Sequence, residues 1–210
     1  AEATYDIQFG NIKRPTHRNT KWDIARFEVC GHKWADLSEG GYGVSLLNDC
    51  KYGYGIHNGN MTLTLIKSGI EPNPTADQEE HHFTYSLLPH SGDWKDAGVA
   101  EQGYMLNVPF YAVITDNCAG SGIKTNSLIE IDGDNVILET VKKSEDLKGV
   151  IIRLYEYKNS RGKVTVKWFA GCCEVYECDL MENVVNGLPS TGGEFTFNIM
   201  PFENKTFKII

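Results

Sequence analysis

The densest set of chemically capable side chains lies in RPTHRNTKWDIARFEVCGHKWADLSEGGYGVSLLNDCKYGYGIH, residues 14–57. It carries Arg14, His17, Arg18, Asp23, His32, Asp36, Glu39, Asp49 and His57 among Trp22, Trp34, Tyr42, Tyr52 and Tyr54. A sugar offers hydroxyls at its edge and C–H groups on its faces. Carboxylates and amides mixed with aromatic rings therefore suit a saccharide. The pairs Asp36–Asp49 and Asp36–Glu39 have the residue types of a glycosidase acid and nucleophile. Sequence spacing does not fix how far apart such carboxylates stand, and two solvated acids in a turn region read the same way.

A second cluster is Asp77-Gln78-Glu79-Glu80-His81-His82. In an extended chain its alternate residues share a face, as metal ligands need. It follows two prolines and precedes an apolar run, so a charged loop leading into a strand accounts for it better. Cys30, Cys50, Cys118, Cys172, Cys173 and Cys178 include no Cys-x-x-Cys pair. Adjacent Cys172 and Cys173 would point to opposite faces of a strand. Reduced, buried thiols of a cytosolic protein are the expectation, with no metal site in this chain. No Ser/His/Asp order, phosphate loop or dinucleotide fingerprint is present. The net charge of −8 and the lack of any Lys/Arg run longer than two argue against nucleic acid as a partner. No apolar run is long enough to cross a bilayer as a helix, so a membrane is not an expected partner.

The elements that must position these residues read as strands. Short alternating or β-branched runs occur at 22–29, 61–68, 82–89, 108–115, 127–131, 135–141, 150–157, 163–170, 174–181, 194–200 and 206–210. The rhythm of about ten residues is that of sandwiches. No window of eleven or more residues holds a helical apolar repeat. Asp132-Gly133-Asp134 and Ser160-Arg161-Gly162 have the composition of hairpin turns. The chain is expected to be all-β. The polar, Gly/Ser-rich stretch around 117–125 divides it: 1–118 as one domain, 119–125 as linker, and 126–210 as a seven-stranded immunoglobulin-like sandwich.

The quoted segment resembles the C-terminal β region of glycoside hydrolase family 38, the class II α-mannosidases, in the branch with cytosolic and vacuolar-type enzymes. PNPTADQEEHHFTYSLLPH continues the resemblance, with Pro74, Asp77, His81, Phe83, Thr84 and Tyr85 standing at its signature positions. The likeness is specific over 5–115. It is thinner from 127 onward, on LETVKKSED, IIRLYEY and DLMEN. His82 departs from the pattern and reads as an outward-facing strand residue.

The resemblance implies part of a β-supersandwich followed by the terminal β-sandwich. It also implies a noncatalytic piece of a longer enzyme, with Zn²⁺ and the aspartate nucleophile in an N-terminal domain that this chain lacks. The parent reaction would be retaining hydrolysis of terminal α-mannose residues. The implied partners are the parent's N-terminal catalytic and helical domains and a mannose-containing glycan. Within this chain no catalytic residue is expected. Segment 32–49 is read as an active-site rim loop with His32, Asp36, Tyr42 and Asp49 as its substrate candidates. A sheet edge left open by the missing part predicts a homodimer of the piece. The alternative is a free-standing carbohydrate-binding β-sandwich.

Overall fold

A computed structural model describes residues 2–114, 125–171 and 174–210. Its described residues are all-β with two short helices, and the chain divides into two compact units, 1–113 and 114–210. The proposed linker residues 119–124 lie outside the described residues, as do Cys118, Cys172 and Cys173.

The first unit opens with a hairpin, β1 (Glu2–Ile7) and β2 (Gly10–Pro15). A short helix α1 (Lys21–Ala25) follows, then β3 (Val29–Cys30), β4 (Trp34–Ser38), β5 (Tyr42–Asn48), β6 (Gly53–His57) and β7 (Asn60–Thr64). After an irregular stretch come β8 (Tyr85–Ser91) and helix α2 (Val99–Asn107). The strands form a five-stranded sheet in the order β2-β1-β4-β5-β8 and a three-stranded sheet in the order β3-β6-β7. The sheets share a core of Ala3, Tyr5, Ala35, Leu46, Tyr54 and Ile56. On the opposite face of the larger sheet, the Trp34 ring packs tilted against Trp94 at 5.0 Å. Gly103 of α2 lies where a Cβ would come within 2.9 Å of the Trp34 ring. The missing side chain thus sets how closely the helix seats. Both outer strands of the five-stranded sheet carry a proline, Pro15 and Pro89, which cannot donate to a further ladder.

The second unit contains β9 (Ile129–Asp132), β10 (Val136–Lys143), β11 (Val150–Glu156), β12 (Gly162–Trp168), β13 (Val175–Cys178), β14 (Val184–Leu188), β15 (Glu194–Ile199) and β16 (Asn204–Ile209). Its sheets have the orders β10-β11-β16-β13-β14 and β15-β12-β9. Strict alternation in β15 turns Phe195, Phe197 and Ile199 inward. They meet Val164, Val166, Leu154 and Phe207 in one core built from both sheets.

Several sequence expectations fail for physical reasons. Residues 22–29 are not one strand. Thr20 accepts from the Asp23 N–H at 3.1 Å and donates its own N–H to the Asp23 carboxylate at 3.0 Å. This capping box starts a helix that local alternation does not reveal. Of that run only Val29 enters a sheet, forming β3 with Cys30. Strand 61–68 stops at Thr64. Residues 108–114 form no strand, and Phe110, Tyr111 and Ile114 stand exposed. His82 is exposed as expected, but it precedes β8 instead of lying in it. Of the three described cysteines Cys30 and Cys50 are exposed and Cys178 is buried, because β3 is a two-residue strand and Cys50 lies beyond the end of β5. Among its described residues the second unit has eight strands where seven were read, since the exposed β14 lacks apolar alternation.

Neither supposed hairpin turn is one. β9–β10 and β11–β12 each cross from one sheet to the other. Glu156, fully buried, holds these crossovers. Its carboxylate accepts from the backbone N–H groups of Lys158 (2.8 Å), Asn159 (3.0 Å), Ser160 (3.0 Å) and Phe202 (2.8 Å). Asn135 of the other crossover donates to the Ser160 carbonyl at 3.3 Å and the Ser160 hydroxyl at 3.1 Å. Among the described residues no helix is long and apolar enough to cross a membrane, which says nothing of a β-barrel.

Glu156→Ala leaves four backbone donors without their acceptor. At about 1 kcal/mol or more each, we expect a loss of at least about 3 kcal/mol in denaturant unfolding, and a smaller loss for Glu156→Gln, which keeps one acceptor oxygen. Acid should also weaken the second unit. The Asp146 carboxyl is held far below its ordinary value by Lys208 at 2.6 Å and by the Ser144 hydroxyl. Asp179 is lowered by the Asn183 side chain and Glu182 by Lys142. Folded values below unfolded ones mean stability that is complete above the ordinary carboxylate range and lost as pH falls through the folded values. Melting temperature should therefore fall below about pH 4, with a shallower acid slope in Asp146→Asn.

Candidate functional site

Segment 32–49 is not a loop. It is the β4–β5 hairpin in the interior of the five-stranded sheet, with Asp36 opposite Ser45 and Ser38 opposite Gly43. β8 lies along β5 and places His90 opposite Gly43. A Cβ on Gly43 would stand 2.3 Å from the His90 ring and 2.5 Å from the Ser38 hydroxyl. Glycine there lets the imidazole lie across the strand.

The result is a polar cluster inside the sheet. Asp36 is 2% exposed and Ser45 is fully buried. Ser38 donates to Asp36 Oδ1. Ser45 Oγ donates to Oδ2 at 2.7 Å, and His90 Nε2 donates to the same Oδ2 at 2.8 Å. The His90 side chain is 5% exposed, and its Nδ1 is buried with no partner. The residue types are those of a serine-hydrolase triad, but the wiring is not. Ser45 and Nε2 both give their protons to Asp36, so the imidazole has no free Nε2 lone pair to accept a proton from Ser45. The cluster ties three strands together. Asp36 and Ser38 also reach a groove bordered by Thr4, Glu39, Trp94 and Lys95.

His32 and Asp49 meet elsewhere, at the open end of the hairpin. With Lys33, Tyr52 and Asn107 they line a shallow depression. The His32 ring stands edge-on to Tyr52 at 5.6 Å. Asn48 and Asn107 shape the floor: Asn48 donates to the His32 carbonyl at 2.8 Å, and Asn107 to the Asn48 carbonyl at 2.9 Å. The Asp49 carboxylate accepts from the Thr84 N–H at 2.9 Å, which holds it below the ordinary carboxylate range. Lys33 reaches toward Asp6 at 3.6 Å and sits 4.4 Å above the Tyr104 ring. Burial pushes the Asp6 carboxyl up, against the opposing charge of Lys33.

Tyr42 is at the turn end of the hairpin and half-exposed, whereas Trp34 is buried. The four residues singled out in sequence thus occupy three places. Ser38, Ser45, His90 and Asn107 were not singled out. Only β8's placement beside β5 brings His90 to Asp36, and no local pattern encodes that pairing.

No three His, Cys, Asp or Glu side chains among the described residues converge as metal ligands. The residues present do not fit the zinc site that the resemblance implies for the parent. The run 77–82 is an exposed segment in which His81 contacts the Asp77 carbonyl at 3.0 Å.

Two compact β units, the second a sandwich, each match a C-terminal domain of one glycosidase family. Residues 1–75 match the glycosyl hydrolases family 38 C-terminal domain, and residues 135–207 match that family's C-terminal beta sandwich domain. The two matches together span more than half of the chain, and the chain belongs to glycosyl hydrolase family 38. Alpha-mannosidase G of Dictyostelium discoideum is 43% identical over 99% of this chain and 20% of its own length. Alpha-mannosidase 2C1 of Homo sapiens is 41% identical over 93% of this chain and 18% of its own. The alpha-mannosidase of Saccharomyces cerevisiae is 34% identical over 99% and 20%. The chain therefore spans about a fifth of the length of these curated relatives. The crystal structure of an alpha-mannosidase from Enterococcus faecalis V583 shares the fold over the whole chain and 24% of its own, with a TM-score of 0.80 at 17% identity.

The close contact at Gly43 yields a test. Gly43→Ala should cost about 2 kcal/mol or more by overpacking against His90. In a double-mutant cycle with His90→Ala the costs should be non-additive by about 1 kcal/mol, because removal of the ring vacates the space the methyl needs.

Proposed function

We propose that this chain is the noncatalytic C-terminal β region of an α-mannosidase, and that it scaffolds and rims an active site built elsewhere in the longer polypeptide. The observation that carries this is the pair of family 38 C-terminal matches, one in each unit. The parent reaction on this reading is retaining hydrolysis of terminal α-mannose residues in a glycan. Its two carboxylates and its zinc belong to the parent's N-terminal part. The wiring of Asp36, which spends both oxygens on side-chain donors within the sheet, fits a structural group better than a glycosidase nucleophile.

The first unit presents Trp22, Phe27, Leu87 and Met105 to solvent. More apolar surface than a monomer keeps open suits packing against the catalytic and helical domains. The prolines on both edges of the five-stranded sheet favour that arrangement over edge pairing between two copies. Tyr42 and the depression holding His32 and Asp49 are the parts that face a mannose-containing glycan on this reading, with Asp36 positioning the hairpin from beneath. Three described cysteines without disulfides support a reducing, cytoplasmic setting.

The chain by itself should not turn over an aryl α-mannoside. In the complete enzyme, Tyr42→Phe and Asp49→Asn should each lower kcat/KM by about tenfold, roughly 1.4 kcal/mol, with melting temperature unchanged. Full activity in both variants removes the rim role. Hydrolysis by the isolated chain that tracks with the purified protein overturns the noncatalytic reading.

A further inference from the structure

All three arginines of residues 1–113, Arg14, Arg18 and Arg26, line one partly enclosed cleft. Its enclosed space is only about 20 Å³, room for about one water, and its mouth opens to solvent; Tyr5, His17 and Asp23 also border it. They arrive from separate elements. Arg14 is on β2, opposite Ala3 of β1. Arg18 precedes α1, and Arg26 is its C-cap. The chain carries 28 acidic residues against 20 basic ones, so an arginine has many carboxylates available to it. Yet among the described residues none of these three is in an ion pair.

The single carboxylate at the cleft, Asp23, is already engaged by Thr20 N–H at 3.0 Å, Thr20 Oγ at 2.9 Å and His17 Nδ1 at 3.6 Å. The Arg14 guanidinium sits 4.7 Å over the Tyr5 ring. Its Nη1 is buried and finds no acceptor. Burial, with the like charge of Arg26 adding to it, pushes the group below its ordinary value. A buried guanidinium donor left without an acceptor is costly, and its planar fork matches the oxygens of a carboxylate or phosphate.

We infer that the mouth of this cleft is a binding site for a small oxyanion, a phosphate monoester or a carboxylate, held by Arg14, Arg18 and Arg26. The same oxygens can come from a free ligand or from an aspartate or glutamate of the longer polypeptide. The site is separate from the Asp36 cluster and from the His32–Asp49 depression, and it stands whether or not the mannosidase reading holds.

Calorimetric titration of the chain with inorganic phosphate tests it. One saturable site is expected. Arg18→Gln and Arg26→Gln, both at exposed positions, should each weaken it by about tenfold or more. Arg161→Gln, in the second unit, should leave it unchanged. Sulfate should compete, and chloride at equal ionic strength should not. Repeating the titration on the complete polypeptide separates the sources. Phosphate bound there as well marks a free-ligand site; phosphate excluded there but bound by this chain marks a site filled by a protein carboxylate. No saturable binding, or binding that both arginine variants retain, overturns the proposal. Circular dichroism of the variants guards against unfolding as the cause of a loss.

Discussion

A carboxylate can be buried in a β protein only where its lone pairs find donors, since an unpaired charge there costs several kcal/mol. Among the described residues both units bury such carboxylates, Glu156 in the second and Asp36 and Asp6 in the first. In the second, Glu156 collects four backbone N–H groups from two separate turns. In the first, Asp36 collects two hydroxyls and an imidazole from three positions across β4, β5 and β8. The difference in donor type matters. Backbone donors fix the path of the chain, and so Glu156 sets where strands leave one sheet for the other. Side-chain donors fix the register of neighbours, and so Asp36 sets the alignment of the strands around it.

Much of the second unit was legible in the sequence because its strands are amphipathic. The Phe195-x-Phe197-x-Ile199 alternation states both the element and its inward face. The crossovers were not legible. Asp-Gly and Arg-Gly turns suit a hairpin as well as a passage between sheets, and only Glu156, distant in sequence from Phe202, decides between them. In the first unit the failure runs deeper. β4 and β5 are buried on both faces, so period-two alternation disappears. Glycines at the turn then made a central hairpin read as a loop. The family signature reached the correct class through residue identities where periodicity had nothing to offer.

The candidate site shows the same division. Residue types suited to a saccharide were visible in 32–49, but a strand distributes neighbours in sequence to opposite faces and opposite ends. His32 and Asp49 come together because the hairpin folds back on itself. Asp36 goes inside and Tyr42 goes to the far tip. The arginines behave in the opposite way. Arg14, Arg18 and Arg26 look scattered in sequence, and a strand, a turn and a short capped helix bring them to one cleft.

β5 and β8 are neighbours in the sheet, yet residues 49–84 separate them in the chain. The hairpins β1–β2, β4–β5 and β6–β7 close locally and can form within microseconds. Pairing of β8 must wait for a long loop to close, and that is slow. Until it does, Asp36 has its two serines but not His90, and the edge of β5 stays open. On a ribosome these parts emerge in that same order. The nascent first unit therefore holds an incompletely paired carboxylate until β8 arrives, while the β1–β4 and β3–β6 pairings join its hairpins.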